Sequence, residues 1–387
     1  MVDTVISGPQ IYTEDGVLRD ANLIIRDGVI ADMLPMKGAV DGALTFPSSY
    51  HLIPGFIDLH VHGANNKDVM DASEEALTVL SKTLAVEGVT AYLATTMTAA
   101  QADIEKALSA VFHSMHKQES IPGAAILGVH LEGPFISAAK AGAQCVEHVL
   151  PPDVKLITEW QKKFAHVIKL VTLAPELSNS LELIRYLCQH KIVASIGHSD
   201  ATYAEANDAI KAGCHYVTHL FNAMRGMQQR EPGIVTAALL SEKVRAELIV
   251  DGIHLHPAIV DLAVKLKGID NLVLVTDAMR AKCLGNGTYD LGGQAVQVEA
   301  GVAKLANGTL AGSVLTMPEA IRNMINFTGC DFYSAVRMAA ENPAKVLGLF
   351  DKKGSIALDK DADLVVLDED FCVVMTMVGG RVVYQIH

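Results

Sequence analysis

The sequence predicts an α/β protein: a (β/α)8 barrel of the TIM type, carrying a second, small β-sandwich domain built from both ends of the chain. Three observations lead there. Eight short runs of Val, Ile, Leu and Ala recur through the middle of the chain, and most are followed by a stretch with helical spacing of its apolar residues. Near-continuous apolar content is what parallel strands covered on both faces require. The two ends of the chain lack this rhythm and read instead as short strands around Gly-containing turns.

The elements follow in order. Residues 1–53 contain strands at 4–7, 21–26 and 29–33, with Asp27-Gly28 between the last two as a hairpin signal. Strands at 362–367, 372–378 and 381–385 surround Gly379-Gly380 in residues 350–387. Neither fragment buries enough surface alone, so the two are expected to pack into one small β domain. Residues 54–349 are assigned to the barrel, its first strand beginning just upstream. The eight runs are 52–59, 89–95, 124–131, 167–173, 192–196, 216–220, 246–250 and 272–276. Helices are expected at 73–87, 101–116, 180–190 and 257–267, with 318–328 and 333–349 closing the domain. A doubly wound open sheet is the alternative, but no glycine fingerprint follows the first strand. The Gly-rich segment 285–312 reads as an insertion or hairpin, and whether it moves as a lid is left open.

Composition narrows the partners. Half of the 387 residues are apolar, enough for a large core, and the formal net charge is -13. That charge argues against a nucleic-acid groove or an anionic membrane as the main partner, while leaving room for a local basic pocket. Six cysteines stand singly, without Cys-X-X-Cys, and suit small buried residues in a reducing compartment. The first residues lack a basic region followed by an apolar core, and no window of ~18 apolar residues occurs. A soluble protein of the cytoplasm is expected.

The chemistry is written at the ends of the apolar runs. In Asp58-Leu59-His60-Val61-His62 the two imidazoles fall on one face of a strand, a chelating arrangement. Glu132 follows the third run, His198 the fifth, His219 the sixth and Asp277 the eighth. Taken singly, each has an ordinary explanation as a polar contact, a turn or a cap. In a barrel, however, strand carboxyl ends converge on one mouth, so six such groups at six strand-end positions are expected to share a centre. Four imidazoles and two carboxylates suit zinc or a similar divalent transition ion, whereas calcium prefers oxygen alone. A metal so placed lowers the pKa of a bound water from 15.7 toward about 7. Asp277 is the candidate to move the proton, and it is also a candidate ligand. His130 and His215 lie near these runs and are assigned no chemistry.

Read together and in order, PGFIDLHVHG, HLEGPF, IGHSDA, THLFNAM, REPG, DGIH, LVTDAM and LAGSVLTM resemble the amidohydrolase superfamily and, within it, the deacetylases of N-acetylglucosamine 6-phosphate. The likeness runs over nearly the whole chain. It implies a barrel with a small β domain, and hydrolysis of an acetamide to amine and acetate by metal-activated water, with Asp277 as acid and base. It implies that Glu132, His198 and His219 hold the principal ion. Some members have lost the His-X-His; this chain keeps His60 and His62, so a second ion is expected there, with Glu132 bridging. The cofactor is thus one or two divalent ions per chain, zinc first, with iron, manganese and cobalt as alternatives.

For the substrate, the resemblance implies that Asn222 and Ala223 (through the backbone), Arg230 and His254 hold a sugar phosphate, and that Leu310, Ala311 and Gly312 line its pocket. Arg230 is implied to reach the neighbouring site of a homodimer. Where certain members place a sugar-binding histidine, this chain has Ala143-Gln144, and glutamine can hydrogen-bond a hydroxyl but carries no charge. The rivals are another amidohydrolase reaction, such as deamination of a nucleobase or opening of a cyclic amide, and a catalytically silent barrel used as a scaffold.

Overall fold

The computed structural model describes residues 3–38 and 40–386. Its centre is an eight-stranded parallel sheet: β1 Phe56–Val61, β2 Val89–Thr96, β3 Ala125–Glu132, β4 Ile168–Leu173, β5 Val193–Ile196, β6 Tyr216–Val217, β7 Arg245–Leu248 and β8 Leu272–Leu274. Each strand pairs with the next in sequence. Helices α1 Glu74–Val86, α2 Gln101–His116, α3 Val154–Lys163, α4 Ser180–Gln189, α5 Tyr203–Ala212, α6 Gly233–Leu240 and α7 Pro257–Lys267 connect successive strands, and α8 Met317–Thr328 follows β8. This is the expected (β/α)8 barrel. Starts are set locally: Ser73, Asp153, Thr202 and Thr316 each accept a backbone N–H of the first turn of the helix they precede.

The barrel closes by a different device on each half of its seam. On the mouth side, Val61 bridges Ala278 in parallel, and the Asp277 N–H donates to His60 O at 2.8 Å. Deeper in, the Asp58 side chain stands in for the ladder: it accepts the Thr276 N–H (3.3 Å), the Thr276 hydroxyl (2.5 Å) and the His60 N–H (3.2 Å). Asp58 is fully buried, and that burial pushes its carboxyl up against the pull of Lys282 and these donors. Lys282, also without exposure, donates to Glu87, which in turn accepts the Met317 N–H at the start of α8.

Two expectations change. The run 52–59 is two strands: His51–Pro54 pairs antiparallel with Leu364–Leu367 in the terminal sheet, and β1 begins only at Phe56. Gly55 is the crossing point, where a Cβ would meet the Thr90 side chain at 2.2 Å. The helix expected at 333–349 is two, α9 Phe332–Ala339 and α10 Glu341–Val346. Pro343 explains the break, since its ring is tolerated only in a helix's first turn.

The terminal strands form a four-stranded sheet (Val29–Pro35, Ala21–Arg26, Thr4–Ser7, Leu44–Thr45) and a six-stranded sheet (Arg381–Gln385, Val373–Val378, Leu364–Leu367, His51–Pro54, Gln10–Thr13, Gly16–Leu18). Strand alternation serves two cores. Leu52, Leu364 and Val366 face the small domain's core with Ile6, Leu23 and Met375, while Ile53, Val365 and Leu367 join the barrel's. The segment 285–312 contains an antiparallel sheet of Gly287–Leu291, Gln294–Glu299 and Val302–Leu305. All six cysteines are free, and no helix among the described residues is long and apolar enough to cross a membrane.

Lys282→Met strands the buried Glu87 carboxylate and is expected to cost about 3–5 kcal/mol in chemical denaturation. Adding Glu87→Leu should restore more than half of that loss, because two packed apolar groups replace the pair.

Candidate metal centre and its cavity

Six side chains meet at the mouth because the strands end in step. His60 is the penultimate residue of β1 and His62 follows just past its end; Glu132 is the last residue of β3; His198, His219 and Asp277 lie two or three residues past β5, β6 and β8. The last three share an unusual backbone, with φ of 47°, 31° and 48°. Non-glycine residues rarely hold such values, and the turn re-aims each side chain over the barrel axis instead of along the strand. At Gly197, just before His198, a Cβ would lie 2.6 Å from Thr172 Cγ2 and 2.8 Å from Thr218 Cβ, so the close approach of three strands there requires glycine.

The donors form two triangles, and one carboxylate, Glu132, belongs to the first and lies beside the second. In the first, Glu132 Oε1 lies 3.1 Å from both His198 Nε2 and His219 Nε2, which are 3.2 Å apart. In the second, His60 Nε2, His62 Nε2 and Asp277 Oδ1 are 3.3 Å from one another. Glu132 reaches this group too, with Oε2 3.2 Å from His62 Nε2 and Oε1 3.4 Å from His60 Nε2. Two donors each 2.0–2.1 Å from a tetrahedral ion are themselves about 3.3 Å apart, so both triangles have the right size.

Protonation makes the same point independently. The Nδ1 of His198 faces the Lys140 carbonyl at 2.9 Å, and that of His60 faces Glu247 Oε2 at 3.0 Å. Both partners only accept, so each Nδ1 carries hydrogen and each Nε2 is the ring atom turned toward carboxylate oxygen. An imidazole nitrogen and a carboxylate oxygen at this range call for a cation between them, a proton or a metal ion. Burial acts to discharge His60, but Asp277, Glu132 and Glu247 outweigh it and hold its pKa well above the ordinary value. His62, against the same penalty, is raised to about 9 by Asp277 and Glu132. Conversely, the imidazoles overcome burial at Asp277, which falls to about 2. A field that holds protons on imidazoles holds a metal ion equally well.

His130 is excluded as a donor. Its Nδ1–H goes to Leu59 O (3.2 Å), so its Nε2 accepts from Thr172 (2.7 Å), which accepts from Thr218 (2.7 Å), which accepts from Ser195 (2.6 Å). Every hydroxyl direction in this chain follows from the terminal carbonyl. Burial and the neighbouring His60 push His130 well below its ordinary value, which keeps it neutral.

A cavity of about 270 Å³ opens over the donors. Of the expected substrate residues, Ala143, Gln144, Asn222, Ala223, His254, Leu310 and Gly312 line it, together with Met97, Leu291 and Thr309, which went unnoticed in the sequence. Asn222 Nδ2 is buried without a partner, a donor awaiting a ligand. His254 gives its Nδ1–H to Asp251 at 2.6 Å. Burial opposes its charging, but the Asp251 bond and the charges of Asp251 and Asp277 raise it above its ordinary value. Two residues depart from expectation. Ala311 turns away into an apolar cluster with Met97 and Met279, as neighbours in an extended chain alternate. Arg230 is exposed and does not line the cavity of its own chain.

Gln144 is more constrained than a sugar-binding side chain need be. Its Nε2 donates to Glu132 Oε2 at 2.7 Å, and its Oε1 accepts the Thr98 N–H at 2.6 Å. It therefore holds the shared carboxylate before it meets any ligand. Glu247, on β7, is a further residue that the sequence did not single out. A glutamate flanked by Ala246 and Leu248 carries no motif, and only the closed barrel brings it under His60.

Cation donors gathered at the carboxyl rim of a (β/α)8 barrel are the arrangement of a metal-dependent hydrolase. Residues 51–383 match the model of the Amidohydrolase family, and the chain belongs to that metal-dependent family. It is 44% identical over 377 residues to N-acetylglucosamine-6-phosphate deacetylase of Bacillus subtilis, covering 97% of this chain and 95% of the relative. It is 37% identical over 377 residues to N-acetylgalactosamine-6-phosphate deacetylase of Escherichia coli O157:H7, covering 97% and 98%. Among solved structures, a mutant N-acetyl-D-glucosamine-6-phosphate deacetylase of Mycobacterium smegmatis in complex with N-acetyl-D-glucosamine-6-phosphate matches with a TM-score of 0.92 and 32% identity, all of both chains being covered.

Gln144→Ala frees Glu132 from its neutral donor. Chelator competition on the full-length protein should show cation affinity lowered about tenfold, the low end of what a carboxylate ligand's hydrogen-bond partner contributes.

Proposed function

We propose that the protein hydrolyses the acetamide of N-acetylglucosamine 6-phosphate, giving glucosamine 6-phosphate and acetate. The observation that supports this most is full-length likeness to an enzyme solved with that sugar phosphate, joined to a cavity whose floor is the cation-donor rim.

In this reading Glu132, His198 and His219 would hold one divalent ion and His60, His62 and Asp277 a second, zinc being the preferred metal. Such an ion, when bound, would supply Lewis acidity, making water nucleophilic near neutral pH and stabilising charge developing on the carbonyl oxygen. The chain's own residues do the rest. Asp277, ionised by the imidazoles beside it, accepts the proton of the attacking water and passes it to the departing amine. His254, fixed by Asp251 and with its pKa raised by that carboxylate, donates the N–H of its other ring nitrogen to the acetamide carbonyl. Asn222 and the backbone of 222–223 receive the sugar phosphate, and Leu310 and Gly312 close one side. Arg230 supplies a planar, permanently charged fork for phosphate. Its exposure outside its own cavity fits a role across a homodimer, at the partner's substrate. A cytoplasmic setting completes the reading.

The test is acetate release by metal-replete protein from N-acetylglucosamine 6-phosphate, its 6-phosphate galactose-configured epimer and unphosphorylated N-acetylglucosamine. The phosphorylated glucosamine derivative should exceed the unphosphorylated sugar in kcat/KM by at least about tenfold, the value of one charge-assisted contact. Equal rates with and without phosphate would sink the assignment.

Asp277→Asn should lower kcat by about 10²–10⁴, while elemental analysis still finds the ion held by Glu132, His198 and His219. Arg230→Ala should raise KM about tenfold and leave kcat within a few-fold, the signature of lost ground-state binding.

A further inference from the structure

Glu247 is a fully buried carboxylate in the barrel interior, and the reaction outlined above makes no use of it. It does not line the cavity. Among the described residues its charged partner is His60 alone. A carboxylate taken out of water costs several kcal/mol unless it is matched by donors, so its contacts say what it is for. One oxygen, Oε2, takes two: the His60 Nδ1–H at 3.0 Å and the His219 backbone N–H at 3.0 Å. Those residues belong to different triangles of the metal centre. The other oxygen, Oε1, is buried without a partner, as is the Tyr216 hydroxyl.

The four imidazoles differ in what stands behind them. His198 has a neutral carbonyl, and the Nδ1 atoms of His62 and His219 have no partner. Only His60 is hydrogen-bonded through Nδ1 to a carboxylate. A carboxylate behind a ligating imidazole fixes the tautomer, locks the ring plane and raises the basicity of the nitrogen that faces the metal. Charge adds to this: two divalent ions at the mouth would be faced directly by Glu132 and Asp277, and Glu247 would supply a third negative charge through His60. The His219 contact is to backbone, so it steadies the turn at φ 31° without changing that ring's basicity.

We propose that Glu247 is the positioning residue that makes the His60, His62 and Asp277 triangle competent to hold an ion, and so decides whether the centre carries one metal or two. The inference rests on reading the two triangles as two cation sites. Deacetylation itself does not enter its test, so either can fail without the other.

The experiment is a zinc titration of full-length protein, metal-free at the start, followed by stepwise withdrawal with a chelator and elemental analysis, for wild type, Glu247→Gln and Glu247→Ala. Wild type should hold two ions with separate midpoints. In Glu247→Ala the affinity for one ion should fall about 10- to 100-fold and the other should stay within about threefold. Glu247→Gln keeps an oxygen that accepts both N–H groups but loses the charge, so its weaker ion should fall between the other two proteins. A residue that only filled space would be restored to wild-type affinity by glutamine, or would weaken both ions alike, and either result overturns the proposal. So does a wild type that holds a single ion. Should Glu247→Ala fail to fold, the Gln variant decides: an unchanged weaker ion overturns the role, and selective loss supports it.

Discussion

The structure turns on one buried carboxylate. Glu132 faces all four imidazole nitrogens at 3.1–3.4 Å, Oε1 toward His198, His219 and His60 and Oε2 toward His62. Such a group is stable in the interior only if positive charge meets it, and its pKa lies well below the ordinary carboxylate range because the imidazoles outweigh burial. The same dependence runs outward. Gln144 and Thr98 fix the carboxylate, Lys140 fixes His198, and Glu247 fixes His60. The centre is therefore a network in which few polar atoms are free to turn, the condition under which electrostatic stabilisation needs no reorganisation during reaction.

That network needs a barrel that cannot splay. Its weakest joint is between β1 and β8, where backbone pairing is short and Asp58 supplies the missing acceptors. The joint carries His60 and His62 on one side and Asp277 on the other, so slippage there would open the second triangle directly. Lys282 and Glu87 tie the segment after Asp277 to the turn after α1 and the start of α8. The terminal sheet backs this region from below, with Thr376 bonded to Ala85 O at the end of α1 and Gly55 to Asp363 O. The small domain thus braces the strand that bears the His-X-His.

Much of this was legible because it is written in local pattern. Eight apolar runs gave eight strands, and α2 and α7 begin and end at the expected residues. Strand-end polar residues were visible because position along a strand translates directly into position at the mouth. What escaped depended on contacts between distant segments. The split at Gly55 reflects a neighbour, Thr90, and the break before α10 reflects Pro343, whose effect apolar spacing alone does not show. Glu247 and Asp58 looked like ordinary strand residues, since nothing local says that a carboxylate will sit beneath a histidine 187 positions away. Gln144 was noticed for its difference from a histidine, but its two internal partners came only with the fold.

The remaining step concerns the sheet at 287–305, which sequence left as hairpin or lid. Its inner face shares an apolar cluster with the barrel: Leu291, Val296, Val298 and Ala303 pack with Met97, Met279, Ala281 and Ala311. Gln294 Nε2 also donates to Ala143 O at 2.5 Å. Lifting the sheet would expose several of these side chains, at about 1.5–3 kcal/mol for each large one. It would also release the loop that carries Gln144, and with it the hold on Glu132. The sheet is better understood as a wall of the cavity, coupled to the metal centre, than as a door that opens independently of it. Access to the donors then lies past Asn222, Ala223 and His254, on the side where the rim is polar.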